Sequence, residues 1–406
     1  MFRVCLTIAS IFLCTQVPLS AAELLPADQP MESVIDHYVD DLIKTNDVQT
    51  ASQIDEHILV RRMTLDLAGR IPTTAELHAF VSSDPTTRRA ELVNKLLASP
   101  DFIDHHRNEL QVLLEYPARR NDNDFRKYLL WATEQNRPWD SMFRDMLAGD
   151  ENDEYQKAAL QFVKHRAKSL DDLTNDTAIL FFGVNVSCAK CHDHPLVEDW
   201  KQDHYYGMQS FFSRTYLTKK QSLGEKFYGD VKFTTTAGVE KQAQFMFLNG
   251  AIVKDGTPEL NDDSRKKYDE LIKKLQQDDK VEVSYPEFRP REQLVETASH
   301  KDNDAFLARN IVNRIWHRLT GRGIVDPPDQ LHSENLPSHP ELLDWLARDT
   351  VEHEYDLKRL IRGIVLSKSY SRSSEWNSAA DPPSSHYFAV AIPRPLSPRQ
   401  YAMSLL

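Results

Sequence analysis

Ala178-Ile179-Leu180-Phe181-Phe182-Gly183-Val184-Asn185-Val186-Ser187-Cys188-Ala189-Lys190-Cys191-His192 joins a continuous apolar run to a Cys-x-x-Cys-His motif. Periodicity alone does not separate a buried helix from a buried strand in such a run. Its length, with Thr174 and Asp176 near its start, favours a helix over residues 173–186. The motif that follows has the form of a c-type haem attachment site. Two thiols three positions apart on one helical turn can each add to a haem vinyl group. The adjoining histidine then lies under the iron as an axial ligand. On this reading Cys188 and Cys191 are the covalent tethers of haem c and His192 is the proximal ligand.

The other two of the four cysteines, Cys5 and Cys14, fall in a segment that reads as an export signal. Arg3 gives a basic start, Val4 to Leu13 an apolar core, and Ser20-Ala21-Ala22 a cleavage site after Ala22. The apolar run is too short for a spanning helix, and no later stretch predicts one. Bulky Phe12-Leu13 argue against Cys14 as a lipid anchor. The protein is therefore expected to be exported, periplasmic or extracellular, with both remaining thiols inside the motif. An exposed Cys-x-x-Cys in an oxidising compartment tends to oxidise unless something occupies it.

The 406 residues allow two or three domains, each with its own core. A hydrophobic content of 41% argues against disorder. Removing the leader takes away Arg3 and no acid, so the net charge of −12 becomes −13. That argues against a nonspecific nucleic-acid binder, which needs a basic footprint. Neither Gly-x-Gly-x-x-Gly, a P-loop nor a Gly-x-Ser-x-Gly elbow occurs, which disfavours nucleotide binding and that class of hydrolase.

Outward from the motif, helical periodicity dominates. Ile54, Ile58 and Leu65 predict a helix stopped by Gly69 and Pro72, and Thr73 with Glu76 gives the spacing of a capping box for the next. Leu92, Leu96 and Leu97, then 125–135 and 141–147, continue the pattern. Trp200, His204, Met208, Phe211 and Phe212 share one helical face after the motif. The texture changes over 216–288: 231–234 and 243–248 predict two strands with Gly238 near their turn, and 262–279 a charged surface helix. Beyond it Phe306, Ile311, Ile315 and Leu319 line a helix, and Ser338-His339-Pro340-Glu341 predicts a capping box. Leu357, Leu360, Ile361, Ile364 and Val365 make a further stripe. Ser397-Pro398 opens a helix that stops at Leu406 after two turns, which reads as the end of a fragment.

The opposite axial ligand decides the chemistry. A Met or second His closes the iron and favours electron transfer; an open position admits small ligands or peroxide. Met208 and His204 are the local candidates, each equally readable as an ordinary core or surface residue. His194 is expected near a haem edge, supporting the ligands, or as a zinc ligand. Zinc would take both thiolates and two of His194, His204 and His165, although the second cysteine pair of a usual site is missing. A thioredoxin-like dithiol would follow a strand in a βαβ unit, and no such alternation is present. His105-His106 and His332 with His339 are further metal-ligand candidates, expected to be solvated in polar loops.

The stretch Phe181 to Pro195, followed by Trp200 to Phe212, resembles the cytochrome-like domain of exported planctomycete-type proteins, domain of unknown function fifteen-forty-nine. Arg61 to Pro72 is similar to that domain's N-terminal signature. Pro290 to Leu294, Asn310 to His317, Gly321 to Pro327, Pro337 to Leu346 and Tyr355 to Tyr370 resemble its companion C-terminal domain, fifteen-fifty-three. The resemblance implies a mainly α protein: a helical cytochrome-like domain over 23–216, a β-hairpin and charged-helix connector over 217–288, and a second helical domain over 289–406, incomplete at its end. The family commonly carries other residues, often acidic and leucine, where His204 and Met208 stand, so a ligand role there would be particular to this chain. The resulting expectation is an exported c-type haem protein passing electrons to an unidentified redox partner. Alternatives are a zinc-binding structural or interaction protein and a haem enzyme with an open iron site.

Overall fold

The computed structural model describes residues 24–115, 122–278, 285–301, 303 and 305–405. The leader, with Cys5 and Cys14, lies outside them. Among the described residues the chain is mainly helical. The first helices are α1 (Met31–Thr45), α2 (Glu56–Ala68), α3 (Thr74–Ser82), α4 (Arg88–Leu97), α5 (Pro100–Glu115) and α6 (Asn123–Glu134). Next come α7 (Trp139–Ala148), α8 (Glu154–Ala159), α9 (Gln161–Arg166), α10 (Leu170–Phe182) and α11 (Gln202–Ser210). Three antiparallel two-stranded hairpins follow: β1 (Thr215–Leu217) with β2 (Leu223–Glu225), β3 (Lys232–Thr234) with β4 (Glu240–Gln242), and β5 (Phe245–Met246) with β6 (Ile252–Val253). The chain then forms α12 (Asp262–Gln277), α13 (Pro290–Ala298), α14 (Ala305–Thr320), α15 (Pro340–Glu352), α16 (Leu357–Leu366) and α17 (Pro398–Met403).

Local signals explain most boundaries. α2 begins where the Asp55 side chain accepts from the His57 amide and ends at Gly69 in the left-handed region. The Thr73–Glu76 capping box forms at α3, and Ser397 with Gln400 forms another at α17. All five stripe residues of α16 are buried. The charged helix α12 buries only Ile272 and Leu275, which meet Tyr216 in a small satellite cluster.

Four expectations are corrected. The apolar helix starts three residues early, at Leu170, because Ser169 caps it, and it ends at Gly183 rather than at Val186. Val184 instead makes an antiparallel bridge with Gln330. Ser338 does not cap α15: its hydroxyl donates to the Ile324 carbonyl, and His339 occupies the cap position without a side-chain bond. Strand β3 pairs with Glu240–Gln242 across Gly238, whereas Phe245–Met246 belongs to a separate hairpin with Ile252–Val253.

Apart from that satellite, one large contiguous cluster of buried apolar residues reaches from Met31 to Ala389, rather than one core per segment. Helix α10 packs on α14, α14 on α15, and α1 on α16. Trp139, Trp316 and Trp345 are fully enclosed, and each large apolar side chain so buried contributes roughly 1.5–3 kcal/mol. No helix among the described residues is long and apolar enough to cross a membrane.

Candidate functional site

Gly183, at φ +69°, ends α10 and swings the chain towards the C-terminal segment, where its carbonyl accepts from Leu331 N at 3.0 Å. The chain then tightens into a 3-10 turn, Ser187–Lys190. Asn185 starts that turn, its Oδ1 accepting from Ser187 N at 3.1 Å and from Ser187 Oγ at 2.6 Å. Val186 and Ala189 point into the core and anchor the loop, while Cys188, Cys191 and His192 are exposed. Cys188 lies within this turn, and Cys191, three positions on, is the helical residue that ends it. The cysteines are unpaired and exposed, not buried.

The loop is held through its backbone and through the Lys190 and Asp193 side chains. In the first turn of α10, Asp171 Oδ1 accepts from Tyr205 Oη at 2.6 Å and from Gln209 Nε2 at 2.9 Å, and Asp171 Oδ2 pairs with Lys190 Nζ. The ammonium of Lys190 and the Tyr205 hydroxyl hold the Asp171 carboxyl below its usual range. Burial, with Asp171 beside it, pushes the Tyr205 phenol up. Tyr206 Oη donates to the Lys190 carbonyl at 2.9 Å while its ring stacks on Phe233 at 4.3 Å. Gln202 Nε2 reaches the Cys191 carbonyl at 3.3 Å, and Gln202 N donates to Asp193 Oδ1 at 2.9 Å. Helix α11 thus clamps the loop and leaves the thiols and the His192 ring uncovered.

Hydrogen bonding distinguishes the histidines. His192 Nδ1 lies 2.7 Å from the Asp193 carbonyl, which can only accept, so in the neutral ring Nδ1 carries the proton and Nε2 has the lone pair. That is the tautomer of a metal-ligating histidine. His194 Nδ1 accepts from Leu196 N at 3.3 Å, and His204 Nδ1 from Lys201 N at 3.2 Å. In their neutral rings the proton is therefore on Nε2, which donates. Burial lowers the His204 pKa and keeps that ring neutral. Met208 is fully buried in the core. His204 lines a cavity of about 490 Å³, and Met208 is not among its lining residues.

The remaining candidates are dispersed. His165 Nε2 faces Asp122 Oδ2 at 2.7 Å. His105 and His106 are not solvated in a loop but buried within α5, and His339 is buried where α15 begins, because these positions belong to packed helices. Among the described residues no three His, Cys, Asp or Glu side chains gather as a metal site. Sequence reasoning missed Asp171, Gln202, Tyr205 and Tyr206 as the frame of the motif. No local signal marks them, because Asp171 stands seventeen residues before Cys188 and the other three follow Cys191 by eleven residues or more.

The residues present fit a covalently tethered haem: two exposed thiols on one turn, and one imidazole with a free Nε2 whose Nδ1 proton is already engaged. Residues 34–216 match the family described as protein of unknown function DUF1549, and residues 290–406 match that described as protein of unknown function DUF1553. No curated protein and no solved structure matches the chain.

Proposed function

The chain belongs to the DUF1549 and DUF1553 families, in that order along the sequence, and we propose that it is an exported c-type haem protein that transfers electrons. The observation that carries this reading is the joint exposure of Cys188, Cys191 and His192 on a clamped turn, with the His192 Nδ1 proton held by the Asp193 carbonyl. Cys188 and Cys191 would tether the haem and His192 Nε2 would supply one axial ligand. Bound there, haem provides a one-electron iron couple. Tyr206 and Gln202 hold the loop backbone and Asp171 holds the Lys190 side chain, so the ligand ring and thiols keep their spacing. An unidentified protein partner would exchange the electron.

A second reading, an iron open on its far side, is favoured by the burial of Met208 and by the donor Nε2–H of His204. Both readings are tested by exporting the chain in a host with haem-attachment machinery. A haem stain surviving a denaturing gel, with a pyridine haemochrome spectrum, is expected for the wild type and is lost in the Cys188→Ser/Cys191→Ser variant. No stain, with one zinc per chain, would overturn haem in favour of metal. Carbon monoxide binding to the reduced protein separates an open from a closed iron.

A further inference from the structure

The cavity of about 490 Å³ lies where three parts of the chain meet. Asp199, Trp200 and His204 come from the segment after the motif, Leu248 and Asn249 from the third hairpin, and Phe306, Arg309, Leu331, His332 and Leu336 from the C-terminal segment. The Asp199 carboxylate ties the walls together, accepting from Ser333 N at 2.7 Å and Ser333 Oγ at 2.9 Å. A volume of this order suits a small organic molecule, and junctions between segments are a usual place for such sites.

The polar groups of the lining are mostly committed. Asn249 bonds Asn303 and Ala251, Asn335 Nδ2 bonds the Gln330 carbonyl, and His332 uses both ring nitrogens, on Gln330 Oε1 and Glu334 N. Donors remain for a ligand, among them those of His204 and Arg309. The neutral His204 ring has its Nε2–H to offer, and Arg309 uses one guanidinium nitrogen on Asp344, at 2.5 Å, leaving the others. Trp200, Leu248, Phe306, Leu331 and Leu336 supply apolar wall. Apolar walls with a cation and a neutral donor match a molecule with an apolar body and an acidic, acceptor-only end.

We propose that this cavity is a binding site for a small aromatic or aliphatic carboxylate, with Arg309 and His204 reading the carboxylate and the Trp200 and Phe306 rings holding the body. The site needs no haem, so it stands or falls separately from the haem reading.

Calorimetric titration of the full chain with 2-naphthoate and with 2-naphthamide tests it, with haem content measured on the same preparations. Saturable naphthoate binding at one site per chain is expected whatever the haem content. Arg309→Gln should weaken naphthoate about tenfold and leave the amide within about twofold. Ala305→Trp, at an exposed lining position where a large side chain is accommodated without entering the core, should abolish binding of both. No saturable binding to the wild type, binding undiminished in Ala305→Trp, or equal losses of acid and amide in Arg309→Gln would each overturn the assignment.

Discussion

At His192 the Nδ1 proton is held by the Asp193 carbonyl, and at His204 a backbone N–H occupies the same ring position. One contact reverses which nitrogen has a lone pair, so two histidines twelve residues apart differ in what they can do. The buried His339 shows another consequence of placement. Burial, with repulsion from His386 and Arg372, lowers its pKa from 6.5 to about 4. The unfolded ring takes up its proton first as pH falls, so this residue costs stability progressively from pH 6.5 down to about 4. The accumulated loss is about 3 kcal/mol, at 1.36 kcal/mol per pKa unit. His339→Phe should therefore flatten the fall in urea-unfolding free energy between pH 6.5 and 4. An acid limb identical to the wild type's would contradict that account.

At the scale of elements, α10 and its ending position the motif. Gly183 adopts φ +69°, and a Cβ there would overlap the Leu331 side chain and lie 2.8 Å from Asn310 Oδ1. Gly183→Ala is expected to destabilise the fold by about 2–4 kcal/mol, combining left-handed strain with overpacking. Urea unfolding measures it, and a loss below 1 kcal/mol would mean that the α10–α14 contact yields easily. The same turn links the elements in both directions, because Asn310 Nδ2 donates to the Leu180 carbonyl at 2.7 Å. Helix α11 contributes differently: its Gln202, Tyr205 and Tyr206 hold main-chain and carboxylate groups of the motif region rather than the reactive side chains.

Across the whole molecule, the early and late segments are joined by a polar network inside the shared core. Asp66 Oδ2 on α2 accepts from Tyr370 Oη at 2.8 Å and from Arg394 Nη2 at 2.6 Å, and Arg62 Nη1 donates to the Tyr370 and Arg372 carbonyls. Asp66→Ala leaves the buried phenol and the Arg394 guanidinium without this partner, and the expected cost is about 2–3 kcal/mol. With one contiguous core, tryptophan fluorescence and far-ultraviolet circular dichroism should report a single coincident unfolding transition, displaced as a whole in Asp66→Ala. Two separated transitions would show that the early and late segments unfold independently despite their packing.

Much of the fold was legible in the chain itself, because capping and periodicity are local. The Thr73–Glu76 box, the α16 stripe, the Gly69 stop and the helical character of the run before Cys188 follow from residues within a few positions of each other. The motif and the two family resemblances were legible for the same reason. A distant partner defeats local reading at Ser338, which bonds Ile324 instead of capping α15, whereas at β3 a tight local turn at Gly238 sets the pairing with Glu240–Gln242. The sequence by itself determined a mainly helical chain with two thiols and a histidine on one turn. Only the tertiary structure decided that those groups face outward, that Met208 is locked in the core, and that the early and late segments share that core. Orientation and burial depend on contacts between residues far apart in the chain, and no local pattern encodes them.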